Sequence, residues 1–81
     1  MQLINFGNNE TEIQLNNGSK LFFSYSTLVL VKTQSYDIYQ TTQRHSQTTQ
    51  RHINRTLGRW GAVDGMVSQE ELESMVKLGD I

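Results

Sequence analysis

The 81-residue chain contains no cysteine and no proline, and only 36% of its residues are hydrophobic. Without cysteine it can form neither a disulfide framework nor a zinc–thiolate site, and a thiol nucleophile is excluded. The longest apolar run, residues 28–31, is far shorter than the roughly 20 residues that a membrane-spanning helix needs. The N-terminus also lacks the basic and apolar regions of a secretory signal. These absences predict one small domain over residues 1–81, held together by packing and located in the cytoplasm.

The charges are segregated along the chain, although the formal net charge is only -1. Residues 38–62 carry basic residues and no acidic residue, whereas residues 63–81 are mainly acidic, with a single lysine, Lys77. The basic residues are Arg44, Arg51, Arg55 and Arg59, and the acidic ones are Asp64, Glu70, Glu71, Glu73 and Asp80. A basic segment is therefore followed by an acidic one.

Residues 1–40 have the pattern of antiparallel strands, because apolar and polar residues alternate between turns rich in Asn and Gly. The run at residues 28–31 lacks this alternation, which is typical of a strand covered on both faces. The pattern predicts an α+β fold in which a four- or five-stranded antiparallel sheet is packed by one long helix, with a short helix at the C-terminus.

The first predicted hairpin turns at Gly18. A three-residue loop with Gly18 in the left-handed conformation places Ile13 opposite Leu21, which keeps each face of the hairpin chemically uniform. The same register puts Phe22 on the polar face beside Glu12. We expect Phe22 either to meet a second layer or to lie exposed as part of a contact surface.

After the strands, the apolar residues recur about every 3.6 residues instead of every two, which predicts a helix over residues 42–60. The residues expected to face the sheet are Thr49, Ile53, Leu57 and Trp60. The four arginines form a second stripe about 160° away, on the side expected to face solvent. Residues 41–45 recur as residues 48–52, and the spacing of seven repeats Arg and His on nearly the same helical face.

The last helix, predicted over residues 68–79, has strong boundary signals. Ser68 and Glu71 have the spacing of a capping box at its start. Gly79 suits its end, and Lys77 lies in the last turn, where a cation is favoured.

No motif for catalysis or metal binding stands out. Residues 64–71 have the pattern of the second half of an EF-hand loop, but Trp60 and Ala62 occupy two of the earlier ligand positions and offer no side-chain oxygen. His45 and His52 are seven helical residues apart, about 10.5 Å, which is too far to share one metal ion. We therefore expect no enzyme activity, no metal and no cofactor.

The arginine stripe is the most informative feature, and it has three interpretations. It can dock an acidic protein partner or the acidic helix of a second copy, because arginine pairs bidentately with carboxylates. It can contact nucleic-acid phosphates, although the slightly acidic chain lacks the usual basic surplus. It can also be a solvated helix face with weak local ion pairs.

Two segments resemble motifs of a family of small uncharacterised proteins common in bacteriophage and mobile-element genomes. Residues 23–29 (FSYSTLV) resemble its FSYxTxV strand pair, and residues 46–54 (SQTTQRHIN) resemble its SxTTxRHIN helix start. The resemblance covers most of residues 10–58 and leaves the C-terminal helix outside. It implies an antiparallel sheet packed by the helix, and a phage or mobile-element setting. Small phage accessory proteins often bind host machinery, including defence systems, to inhibit or redirect it.

The sequence therefore predicts a noncatalytic accessory protein that binds a host protein, with nucleic-acid binding as the alternative. The expected contacts are Arg44, Arg51, Arg55, Arg59 and Phe22. A homodimer is also expected, because so short a chain buries little of its own surface.

Overall fold

A computed structural model describes residues 1–79 and 81, so the acidic residue Asp80 lies outside the described part. The chain forms β1 (Gln2–Gly7), β2 (Glu10–Gln14), β3 (Lys20–Ser24), β4 (Thr27–Lys32), β5 (Ile38–Thr41), α1 (Gln47–Trp60), β6 (Gly65–Val67) and α2 (Gln69–Lys77). The strands lie in one sheet in sequence order.

The sheet is mixed, whereas an all-antiparallel sheet of four or five strands was expected. The first five strands are antiparallel to their neighbours, but β6 runs parallel to β5. Parallel neighbours need a crossover connection, and α1 with its flanking loops supplies it. The sixth strand was missed because three residues between two helices carry no period of their own.

The hairpin of β2 and β3 has the register predicted from the sequence. Ile13 lies opposite Leu21, and Gln14 lies opposite Lys20. Gly18 has φ +94°, the left-handed conformation that the three-residue loop requires.

The sheet is covered by one helix on each face. On the first face, α1 packs on β3 and β4 around Phe22, Leu30 and Ile53. On the second, α2 packs on β4 and β5 around Leu72 and neighbouring apolar side chains. Val29 and Leu30 of β4 belong to the first core, and Leu28 and Val31 belong to the second, which confirms that this strand is buried on both faces.

Phe22 is fully buried, so the expectation that it lies exposed as a partner contact is wrong. Its ring packs edge-on against Trp60, with ring centroids 6.3 Å apart and an interplanar angle of 80°. The other expectation, that Phe22 meets a second layer, is confirmed, because α1 packs over it.

The first helix begins at Gln47, five residues later than predicted. The hydroxyl of Ser46 accepts a hydrogen bond from the Thr49 N–H (3.2 Å) and so caps the helix. Residues 42–45 lie before this cap, which leaves Arg44 in an exposed loop and not on the helix.

The second helix begins where the sequence indicates. The Ser68 hydroxyl accepts a hydrogen bond from the Glu71 N–H (3.1 Å), and Gly79 after the helix has φ +73°. Asp64, the first acidic residue of the EF-hand-like segment, instead accepts a hydrogen bond from the Ile38 N–H (2.8 Å). In the described part of the chain, no helix is both long enough and apolar enough to cross a bilayer.

Candidate functional site: a polar pocket at the start of the first helix

All four arginines are exposed, as predicted, but two of them also reach the sheet and pair with carboxylates there. Arg55 Nη1 lies 2.6 Å from Glu10 Oε2, and Arg59 Nη1 lies 3.1 Å from Glu12 Oε1. Both carboxylates are buried on β2. The spacings match, because four helical residues rise about 6 Å and two strand residues span about 6.8 Å.

Glu12 is the centre of a hydrogen-bonded cluster that fastens α1 to β2. Its Oε1 accepts hydrogen bonds from Arg59 Nη1 and from Trp60 Nε1 (3.2 Å), and its Oε2 accepts one from Gln14 Nε2 (2.7 Å). Burial by itself raises the pKa of Glu12, but these hydrogen bonds and the Arg59 charge outweigh burial and lower that pKa below its usual value.

Arg59 is further held by the Phe6 ring, whose centroid lies 4.4 Å from the guanidinium carbon. Its guanidinium also donates to the Thr56 hydroxyl (3.3 Å). Arg59 is thereby engaged on several sides by the fold and is not available as a free partner contact.

A concave polar pocket of about 350 Å³ lies beside these ion pairs, at the N-terminal end of α1. Two hairpin turns and the first two turns of the helix form its wall. The lining residues are Asn8, Asn9, Tyr25, Thr48, Arg51, His52 and Arg55. The four helical members stand at positions i, i+3, i+4 and i+7 and therefore share one helix face. We call this surface the polar pocket.

His52 lies at the base of the polar pocket and is only 4% exposed. Its Nδ1 shares a hydrogen bond with the Ser24 hydroxyl (2.8 Å), and Ser24 is in turn bonded to the Thr49 hydroxyl (2.9 Å). Among the described residues, no group forms a hydrogen bond with Nε2 of His52. The Ser24 contact fixes the orientation of the ring.

Tyr25 forms one wall of the pocket in a conformation unusual for its type. It has φ +58° in the two-residue turn between β3 and β4, where glycine or asparagine is ordinary. Its N–H donates to the Asn9 carbonyl (2.7 Å), which joins the two hairpin turns. Its ring is exposed, and the ring centroid lies 6.0 Å from that of His52. Strained backbone at an exposed aromatic residue is a feature that concentrates at binding sites.

Arg51 is the exposed guanidinium of the polar pocket. Within the described residues, neither Arg51 nor Arg44 has a carboxylate within salt-bridge distance. The first turn of α1 contains no acidic residue, so the positive end of the helix dipole adds to the Arg51 charge. The pocket therefore combines one unpaired guanidinium, one paired guanidinium, a hydroxyl and an imidazole nitrogen, a set suited to a carboxylate or another small anion.

The two histidines do not cooperate in metal binding. Nε2 of His45 lies 2.6 Å from Gln50 Oε1 in α1, and Nδ1 lies 3.0 Å from the Gln43 carbonyl in the loop before α1, so both ring nitrogens have partners. Among the described residues, no group of three or more His, Asp or Glu side chains could hold a metal ion.

The sequence indicates Arg51 and Arg55 as contacts but does not place the turn residues of the pocket beside them. Asn8 and Asn9 have φ +51° and +65°, as the tight turn between β1 and β2 requires. The Asn-Asn pair signals this turn in the sequence. Nothing in the sequence, however, indicates that this turn and Tyr25 lie beside the start of α1.

Comparison with known protein families matches residues 1–74 to a family of unknown function, DUF8033. The match extends on both sides of residues 10–58 and includes most of α2. No curated protein and no solved structure matches the chain significantly. Since the match spans nearly the whole chain, the protein is a member of the DUF8033 family.

Proposed function

We propose that the protein is a noncatalytic binding protein and that the polar pocket recognises an acidic segment of a partner protein. The observation that carries the proposal is the exposed Arg51 guanidinium, which has no carboxylate partner among the described residues and lies on the same pocket as the free Nε2 of His52. A carboxylate of the partner would satisfy both groups.

The surroundings of Arg51 favour a protein surface as its target. The exposed Tyr25 ring beside it supplies apolar contact area with a polar tip, a combination enriched at protein interfaces. Thr48 adds a hydroxyl, and Asn8 and Asn9 add side-chain amides that can bond a peptide backbone.

Nucleic-acid binding is the weaker alternative, because Arg55 and Arg59 are already paired with Glu10 and Glu12. Two unpaired arginines would neutralise about two phosphates, whereas proteins whose affinity depends on phosphates make roughly six to ten such contacts. The chain as a whole also has a net charge of -1.

The biological setting in this proposal comes from the resemblance of residues 23–29 and 46–54 to bacteriophage and mobile-element proteins. On that basis the partner is a host protein, in the cytoplasm of the host cell, which the small protein inhibits or redirects. A component of a host defence system is the leading class of target.

The test is affinity capture from the native host lysate, with mass spectrometry, using two variants that change the net charge equally. Arg51→Glu places the change in the polar pocket, whereas Lys77→Glu places it on the exposed surface of α2. We expect a host protein that wild type and Lys77→Glu retain and Arg51→Glu loses.

Equal capture by all three proteins would contradict the assignment of the pocket. A gel shift with DNA at low salt, abolished by Arg51→Glu in the absence of any captured protein, would instead support the nucleic-acid alternative. Arg55 and Arg59 are left unchanged, because reversing their charge would place two like charges against buried carboxylates.

A further inference from the structure

The first strand is an open edge of the sheet. The two helices pack mainly on β3, β4 and β5, and β1 meets α1 near its end, where Arg59 lies over the Phe6 ring. Five of the six residues of β1 are exposed. An edge strand presents unpaired N–H and C=O groups to any second strand. Natural proteins block such edges with lysine, proline or a bulge, yet β1 has no charged residue and no proline, and its irregularity lies beyond Asn5.

A row of apolar side chains crosses the sheet and ends at this edge with an exposed residue, Leu3. The row consists of one residue from each of the first four strands, paired in the order Leu3, Ile13, Leu21 and Val31. Exposure rises along this row from 0% at Val31 and 4% at Leu21 to 62% at Leu3. All four side chains are on the face that carries α2. The outer side of Leu3 is the place where the next apolar side chain of the row would pack.

We propose that β1 pairs antiparallel with β1 of a second copy, around a two-fold axis at Leu3. Directly opposite residues of antiparallel strands point to the same face, so odd-numbered residues must meet odd-numbered ones. With the two-fold axis at Leu3, the Leu3 residues of the two copies lie opposite each other, and Gln2 lies opposite the second copy's Ile4. The bulge after Asn5 lies outside the paired region.

A second copy fits this edge better than a charged partner. The pairing is self-complementary, because no charged side chain of either β1 would meet a like charge across the axis. It joins the two apolar rows into one row that continues from Val31 of one copy to Val31 of the other. Identical strands related by a two-fold axis also close on themselves, which limits the assembly to a dimer.

The test uses the absence of cysteine from the wild-type chain. In the proposed register the two Leu3 positions face each other with Cβ atoms roughly 4.5–5.5 Å apart. A shift of about 1 Å between the strands brings them to the roughly 3.5–4.5 Å of a disulfide in Leu3→Cys under mild oxidation. The control is Met66→Cys, which places an exposed thiol on β6, at the other edge of the sheet.

We expect Leu3→Cys to form covalent dimers in most molecules and Met66→Cys to form few. Light scattering should give the wild type twice the 9.3 kDa chain mass at about 100 µM, a concentration suited to a small interface. Leu3→Lys should give a single chain mass with an unchanged circular dichroism spectrum, because Leu3 is exposed within one chain.

A monomeric wild type at that concentration would overturn the proposal. So would a dimer that survives Leu3→Lys, or cross-linking of Leu3→Cys no greater than that of Met66→Cys. None of these results depends on whether the polar pocket binds a partner, so the two proposals fail separately.

Discussion

Replacing Glu12 with glutamine should destabilise the fold strongly, although the change removes only a charge. Both oxygens of Glu12 accept hydrogen bonds: Oε1 from Arg59 and Trp60, and Oε2 from Gln14. An amide has one accepting oxygen, so either its N–H₂ group faces Arg59 and Trp60, or it faces Gln14, whose own amide must then rotate to accept. The buried site also loses the charge that neutralises Arg59.

The magnitude follows from the burial of the two partners. Breaking a fully buried ion pair costs about 3–5 kcal/mol, but the Arg59 side chain is 43% exposed and water can partly replace its partner. We therefore expect Glu12→Gln to lower the free energy of unfolding by about 2 kcal/mol. For a domain of this size the melting temperature should fall by about 10 °C.

The assay is thermal unfolding followed by circular dichroism, at neutral and at acidic pH. The folded-state pKa of Glu12 lies below its ordinary value of 4.5, so the carboxylate stabilises the fold above that pH and loses its effect as the pH falls through the folded-state pKa. The gap between wild type and Glu12→Gln should therefore be largest near neutrality and shrink in acid.

The matched control is Glu73→Gln on the exposed side of α2, where the side chain accepts one hydrogen bond, from Gln69, that an amide oxygen can also accept. It should change the free energy of unfolding by less than about 0.5 kcal/mol. The reasoning about Glu12 is refuted if both variants melt together, or if the gap is the same at neutral and acidic pH.

Three further predictions concern the turns, the cap of α1 and the core under α2. Tyr25→Gly and Tyr36→Gly both relieve a positive φ, at +58° and +71°, so each should shift the free energy of unfolding by less than about 1 kcal/mol, while only Tyr25→Gly weakens partner capture. Ser46→Ala should cost about 1 kcal/mol in chemical denaturation, because the Thr49 N–H loses its cap. Leu72→Ala should cost about 2–5 kcal/mol in the same assay, because Leu72 is the fully buried anchor of α2.

Local signals in the sequence were sufficient to predict the elements whose interacting residues are close together in the chain. The hairpin register followed from the alternation around Gly18 and was confirmed by the Ile13–Leu21 pair. The start of α2 followed from the spacing of Ser68 and Glu71, and its observed end at Lys77 is two residues before the end of the predicted segment, residue 79.

Contacts between residues far apart in the sequence could not be predicted in this way. The side of α1 that carries Arg55 and Arg59 is polar in sequence, and a polar side normally faces water. Here two glutamates of β2, more than forty residues earlier, lie beneath it and neutralise both arginines. Glu10 and Glu12 look equally solvent-facing when β2 is considered alone, so only the packed structure reveals that the two polar faces meet.

The polar pocket combines segments from three parts of the chain, which explains why the sequence indicated only its helical side. Arg51 was predictable as an exposed cation of α1. Its nearness to Tyr25 depends on how far α1 lies along the sheet, and that position is set by the buried contacts of Ile53 and by the Ser24–His52 hydrogen bond.

The most direct test of the account is a titration of the protein into a fluorescein-labelled, glutamate-rich peptide, followed by anisotropy, with Arg51→Gln compared with Lys77→Gln. The account predicts that Arg51→Gln weakens binding about tenfold, as expected for the loss of a charged hydrogen bond of roughly 1.5 kcal/mol, and that Lys77→Gln binds like wild type. Equal affinities for the two variants, or no binding of the peptide by the wild type, would contradict recognition of an acidic segment at the polar pocket.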